Sequence, residues 1–207
     1  MDRVKEIIAT LDSMYPNAHC ELNHTNSFEL LVAVMLSAQT TDESVNKLTT
    51  SLFNKYKTPE DYINADLKTL MNDLRRIGLY RNKAINVKKM SQQLITNFNG
   101  VVPSSQVELE SLAGVGRKTA NVVLSVWFDV PRIAVDTHVN RVAKRLKLAY
   151  ANDSVIKVEE KLMRKFPKNR WSDMHHKMIF FGRYHCTSRS PKCENCSLKS
   201  LCRYPHI

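Results

Sequence analysis

With 207 residues, 43% of them apolar, the chain is long enough for one large domain or two small ones and too apolar for a disordered polymer. It contains no run of about eighteen apolar residues and no apolar segment behind a basic start, so neither a membrane span nor a secretory leader is expected and an intracellular protein is. The net charge of +11 is unevenly placed: residues 1–130 carry 14 Lys and Arg against 14 Asp and Glu, whereas residues 131–207 carry 17 against 6. A basic last third points to a polyanion, most simply nucleic acid, with a solubilising basic surface as the alternative.

In chain order the pattern is helical throughout, with no sustained alternation of period two. Arg3–Tyr15 is amphipathic through Val4, Ile7, Ile8, Leu11 and Met14, and Pro16 ends it. Asn26 and Glu29 start an apolar helix, Phe28–Ala38, which should be central. Thr41–Tyr56 follows. Thr58-Pro59-Glu60 opens a short helix with a cap and an N1 proline. Asp66 caps Leu67–Ile77, which Gly78 stops, and Tyr80–Phe98 is closed by Asn99-Gly100.

Ser105–Trp127 organises the chain. Ser105 and Glu108 have capping-box spacing, and Val107, Leu109 and Leu112 should give a short helix one buried side. Gly114-Val115-Gly116 offers two glycines able to take positive φ, so the backbone can reverse there. A second helix, Arg117–Phe128, then carries an apolar stripe of Ala120, Val123, Leu124 and Trp127. Free N–H groups of the hairpin and the positive end of that helix make an anion site suited to phosphate. Arg117 and Lys118 lie where the helix dipole disfavours cations, so something other than helix stability placed them. The alternative is an ordinary glycine turn.

Asp129–Val135 should be extended. A helix of roughly 18 Å and an eight-residue return of up to roughly 26 Å would let Asp136 come back beside Lys118. Thr137–Leu148, Ser154–Phe166 and Trp171–His185 are the remaining expected helices.

Four of the five cysteines, Cys186, Cys193, Cys196 and Cys202, form C-x6-C-x2-C-x5-C. In an intracellular chain this density favours a metal centre over disulfides. Only one C-x2-C unit is present, and spacing alone leaves zinc and an iron–sulfur cluster both open. Arg183, Arg189, Lys192, Lys199 and Arg203 surround the ligands and could offset cluster charge or meet phosphates. Cys20 stands alone and is expected to be a buried inert thiol.

LAGVGRKTANVV, AVDTHVNRVAKRL and the cysteine tail, together with MLSAQTTDESVNK and IGLYRNKA, resemble the endonuclease III family over nearly the full length. That resemblance implies an all-α fold of two helical domains with a helix-hairpin-helix motif and a C-terminal iron–sulfur loop. The domains would be a six-helix barrel at 21–130, its hairpin at about 105–127, and a cluster domain of 1–20 plus 131–207 with the loop at 186–202, a DNA cleft lying between them. It implies a [4Fe–4S] cluster on Cys186, Cys193, Cys196 and Cys202. It further implies base-excision repair of damaged double-stranded DNA by a monomer in the cytoplasm, on a bacterial nucleoid or otherwise within the cell, with no membrane partner. The family usually has proline where this chain has Ala113, so a less rigid approach to the hairpin is expected.

The implied enzyme is a DNA glycosylase and abasic-site lyase that removes oxidised pyrimidines. Lys118 would form a Schiff base with the sugar, whose iminium acidifies C2′ and lets the 3′ phosphate leave. The helix N-terminus, Arg117 and partial desolvation should favour the neutral amine this needs. Asp136 would assist the nucleophile and stabilise the cationic sugar, where local structure alone offers an N-cap. Gln39 and Leu79 resemble gap-filling residues for an everted base. Taken without the family, they read as a helix C-cap and a core leucine. His138 resembles a DNA-contact or pocket residue, with a satisfied structural histidine as the alternative, and Gly114, Gly116 and Arg117 would contact DNA. Asp42 either lines the pocket or caps the next helix. A non-catalytic helix-hairpin-helix binding protein, an iron–sulfur redox protein and a glycosylase for a different lesion are the rival readings.

Overall fold

The computed structural model describes residues 3–202. Arg203 therefore lies outside the described residues. All regular structure within them is helical, with no strand. The chain divides into two compact units, one made of Met1–Cys20 and Val130–Ile207 and the other of Glu21–Asp129.

The Glu21–Asp129 unit is built around α2 (Ser27–Leu36), eight of whose ten residues are buried. A helix apolar on every side has to be enclosed, and α3 (Asp42–Lys55), α6 (Tyr80–Phe98) and α8 (Arg117–Val126) enclose it. Asn26 caps α2 by accepting the Glu29 amide at 2.9 Å, while Glu29 Oε2 reaches past it to accept from the Thr25 amide and hydroxyl. Thr41, not Asp42, caps α3, so Asp42 sits in the first turn, where its charge suits the helix dipole. Between α3 and α6 lie α4 (Pro59–Asn64), which starts with the Thr58–Asp61 capping box, and α5 (Leu67–Asp73), which starts with Asp66.

Several boundaries differ from the sequence pattern; the helix expected over Phe28–Ala38 ends at Leu36, and the one expected over Thr137–Leu148 ends at Arg145. Helix α5 ends at Asp73, whose carboxylate takes Lys55 and the Tyr56 hydroxyl, and Leu74 and Ile77 are buried from a turn. Helix α7 (Gln106–Glu110) has only one turn and no side-chain cap from Ser105. Leu109 within it and Leu112 just beyond it are buried, so Val107, two positions before Leu109 and on the opposite side, is 80% exposed. Helix α8 ends at Val126, leaving Trp127 at its C-cap, 40% exposed, with its ring edge against His24.

The other unit packs α1 (Arg3–Met14), α9 (Thr137–Arg145), α10 (Val155–Lys165) and α11 (Trp171–Phe180) around a core that includes Ile7, Leu11, Val139, Val142, Leu162, Met174 and Met178. Segment 130–135 is irregular, with Ile133, Ala134 and Val135 buried. Helix α1 is pinned by charge as well. Asp12 accepts from Lys177 and Arg170, each at 2.5 Å, and both cations also reach Asp173. Arg3 donates to the carbonyls of Leu146 and Leu201. After α11 the winding loosens into a π-turn, Phe181–His185, closed by the Cys186 amide on Phe181 O at 2.7 Å.

Candidate active site

The hairpin between α7 and α8 depends on one glycine more than on two. Gly114 takes φ +77, and a Cβ there would come within 2.9 Å of Asn86 Cβ and Met35 Cε. Both conformation and contact thus require glycine. Gly116 is extended at φ −103 and serves as the N-cap of α8 without a side chain. Val115 between them is buried, and Gln93 of α6 clamps the loop, accepting the Ala113 amide at 2.7 Å and donating to Ser111 O at 3.2 Å. Proline at 113 could not make the first of these bonds. The expected loosening at Ala113 is therefore offset by a hydrogen bond from its own amide.

Arg117 and Lys118 are the first two residues of α8, and both are exposed. The partial burial expected around Lys118 is therefore not found. Lys118 thus lies in the first turn of the helix directly after the hairpin, whose free backbone N–H groups can hold a phosphate.

Asp136 is the N-cap of α9, accepting the Val139 amide at Oδ1 at 2.7 Å. The cap holds a half-buried carboxylate in one orientation. One turn on, Arg141 donates from Nη2 to His138 Nδ1 at 3.2 Å, and from the same nitrogen to Gly182 O at 2.6 Å. An arginine cannot accept, so His138 keeps its proton on Nε2 and presents a donor. Sequence reasoning did not single out Arg141, although a cation three residues after His138 shares its helix face.

Gln39 and Leu79 meet neither of their expectations from local pattern. The C-cap of α2 is Ser37, and Gln39 lies beyond it at φ 55. Leu79 precedes α6 at φ 58 and is 51% exposed, not buried. The two turns lie against each other, since a Cβ on Gly78 would meet Gln39 O at 3.5 Å. An exposed amide and an exposed leucine thus project from adjoining turns, both in a backbone conformation that such residues rarely adopt.

Cys186, Cys193, Cys196 and Cys202 line one cavity, together with Arg145, His185, Lys192 and Lys199. None of the four forms a disulfide. Four thiols lining one cavity are a donor set that either zinc or an iron–sulfur cluster accepts. Burial pushes the Cys196 thiol up, the Leu198 amide opposes this, and Cys186, Cys202 and Cys193 reinforce it. Four such thiolates gather stably only around positive charge. Arg145, 8% exposed, donates to Cys186 Sγ at 3.3 Å and to Thr187 O at 2.7 Å. Arg183 and Arg189, expected near the ligands, do not line the cavity; Arg145 from the last turn of α9 does. Cys20 is half-buried, more accessible than expected.

Fold and loop together define an all-helical DNA-repair protein of the helix-hairpin-helix, iron–sulfur class. Residues 32–168 match the HhH-GPD superfamily of base excision DNA repair proteins, and residues 186–202 match the iron–sulfur binding domain of endonuclease III. Endonuclease III of Bacillus subtilis is 57% identical over 98% of this chain and 94% of its own length, and that of Escherichia coli K12 is 44% identical over 96% and 94%. A solved trapped endonuclease III–DNA covalent intermediate superposes with a TM-score of 0.94 at 57% identity, covering 98% of this chain and 97% of that one. A non-covalent endonuclease III–DNA complex gives 0.96 at 56%, over 97% and 94%. The chain belongs to the endonuclease III family. It is accordingly a base-excision glycosylase and abasic-site lyase that carries a [4Fe–4S] cluster. Among the described residues no helix is long and apolar enough to cross a membrane.

Proposed function

We propose that Lys118 is the nucleophile of this glycosylase and lyase, and that its substrates are oxidised pyrimidines in duplex DNA. The observation that carries the assignment is an exposed lysine on the first turn of α8, directly after a hairpin fixed by Gly114. Nζ attacks C1′ as the bond to the base breaks, and sugar opening gives a protonated imine. That charge acidifies C2′–H. Loss of the C2′ proton and departure of the 3′ phosphate cut the strand, and water then releases the lysine.

Asp136 assists Lys118 and stabilises positive charge on the sugar, its carboxylate held by the cap to Val139. Gly114, Gly116 and Arg117 receive a backbone phosphate, and His138 adds an Nε2–H donor. The target nucleotide leaves the stack, Gln39 bonds the base left behind, and Leu79 wedges the gap. Cys186, Cys193, Cys196 and Cys202 hold the cluster, which when bound supplies metal–thiolate cross-links to the loop, while Lys192, Lys199 and Arg145 balance its charge. In this reading Glu21–Asp129 contains the six-helix barrel and its hairpin, the other unit carries the cluster, and the enzyme acts as a monomer inside the cell.

A panel of duplex oligonucleotides, each with one damaged base, tests the substrate class. Strand cleavage at oxidised pyrimidines, with intact 8-oxoguanine and alkylated purines, is the expected result; preferential cleavage at a purine lesion would overturn it.

A further inference from the structure

Lys83 sits in the first turn of α6, where the positive end of a helix disfavours a cation, and it is 6% exposed. Among the described residues its ammonium donates one hydrogen bond, from Nζ to Thr40 Oγ1 at 2.9 Å, and no carboxylate pairs with it. Burial pushes the amine below the ordinary lysine range. A methionine of similar reach would avoid that desolvation, so stability does not account for a lysine here.

What the bond does is join two turns. Thr40 follows Gln39, whose φ is 55, and the Lys83 amide donates to the carbonyl of Leu79, whose φ is 58, at 3.0 Å. Gly78 also meets the Gln39 turn, since a Cβ there would lie 3.5 Å from Gln39 O and 4.0 Å from Thr40 Oγ1. Each turn holds a non-glycine residue in the left-handed region with its side chain exposed, a conformation that persists only where the surroundings enforce it.

We propose that Lys83 is a positioning residue for duplex invasion: through Thr40 it locks the Gln39 turn against the Leu79 turn, so that amide and leucine enter the DNA as one rigid pair. This rests on the reading of Gln39 and Leu79 as gap-filling residues. Lys83 touches no reacting atom and acts through Thr40.

The test uses the cluster-loaded full chain and a duplex with 2-aminopurine opposite a tetrahydrofuran abasic analogue, whose fluorescence reports unstacking of the estranged base. Gln39→Ala and Leu79→Ala should each suppress the enzyme-induced change. Lys83→Met and Thr40→Val should weaken it about tenfold or more, as misplacement of a positioned group does, while Thr40→Ser retains it. The melting temperature of Lys83→Met should equal or exceed that of the parent, which a purely structural lysine would not predict alongside a lost signal. If Gln39→Ala and Leu79→Ala leave the signal intact, the gap-filling reading fails and this inference with it. If they suppress it while Lys83→Met and Thr40→Val behave like the parent, only the inference is overturned. Should Lys83→Met not fold, equal signals from Thr40→Val and Thr40→Ser would overturn it alone.

Discussion

Asp136 Oδ1 accepts the Val139 amide at 2.7 Å, so the carboxylate assigned to the cationic sugar is also the residue that starts α9. The two roles separate by substitution. Asp136→Asn keeps an oxygen for the cap and loses the charge; Asp136→Ala loses both, at about 1 kcal/mol of stability. Glycosylase turnover should fall in both variants by roughly 10²–10⁴-fold, with thermal stability lowered only in Asp136→Ala. Activity retained by Asp136→Asn would reduce the residue to a cap.

Gln93 should matter for DNA affinity although it is remote from Lys118 in sequence. Its amide satisfies both Ala113 N–H and Ser111 O, and Gln93→Leu removes both bonds at about 1 kcal/mol each. A looser hairpin places its N–H groups less well on a phosphate. KM for abasic duplex should rise with kcat little changed, as steady-state kinetics on one oligonucleotide would reveal.

Gly182 lies under α9. A Cβ there would come within 2.9 Å of His138 Cβ and 3.3 Å of His138 Cα, and backbone cannot swing away as a side-chain tip can. Gly182→Ala should cost about 1–3 kcal/mol by overpacking and displace His138. Denaturant midpoints and DNA affinity should fall together, with cluster absorbance retained.

Acid should weaken the protein in two stages. Burial, with His19 adding to it and Asp173 opposing, lowers His176 to about 4, so the unfolded chain binds its proton first as pH falls from about 6.5. Stability therefore declines between about 6.5 and 4. For Asp12, burial acts to raise the carboxyl, but Lys177 and Arg170 hold it below its ordinary value. Its contribution is full above the unfolded value of about 4 and is lost as pH falls through the lower folded one. Urea midpoints against pH should lose the first limb in His176→Gln and the second in Asp12→Asn.

How far the sequence reaches depends on whether the signal is local. Helix α6 runs from Tyr80 to Phe98 as the pattern predicts, because Gly78 and Asn99-Gly100 punctuate it, and Asn26, Thr58, Asp66 and Ser154 cap the helices they precede. The four cysteines gather around one cavity, as their spacing suggested. What local pattern does not carry is tertiary. A leucine at φ 58 runs against its own propensity, and Gln39 and Leu79 could be taken as surface features only through the family resemblance. Arg141 and Arg145 look like ordinary helix cations until the carbonyls of Cys186 and Thr187 turn back onto them. Lys83 lies within IGLYRNKA, yet nothing in that stretch shows its bond to Thr40, forty-three residues earlier.

The proposed nucleophile bonds covalently to deoxyribose through the Lys118 amine. Sodium borohydride added during turnover on a duplex carrying an oxidised pyrimidine reduces such an imine to a stable protein–DNA adduct, which peptide mapping can locate. One adduct is expected, at Lys118, and none from a folded, cluster-loaded Lys118→Ala protein. An adduct that persists in that variant, or strand cleavage by the parent enzyme with no trappable species, would contradict it.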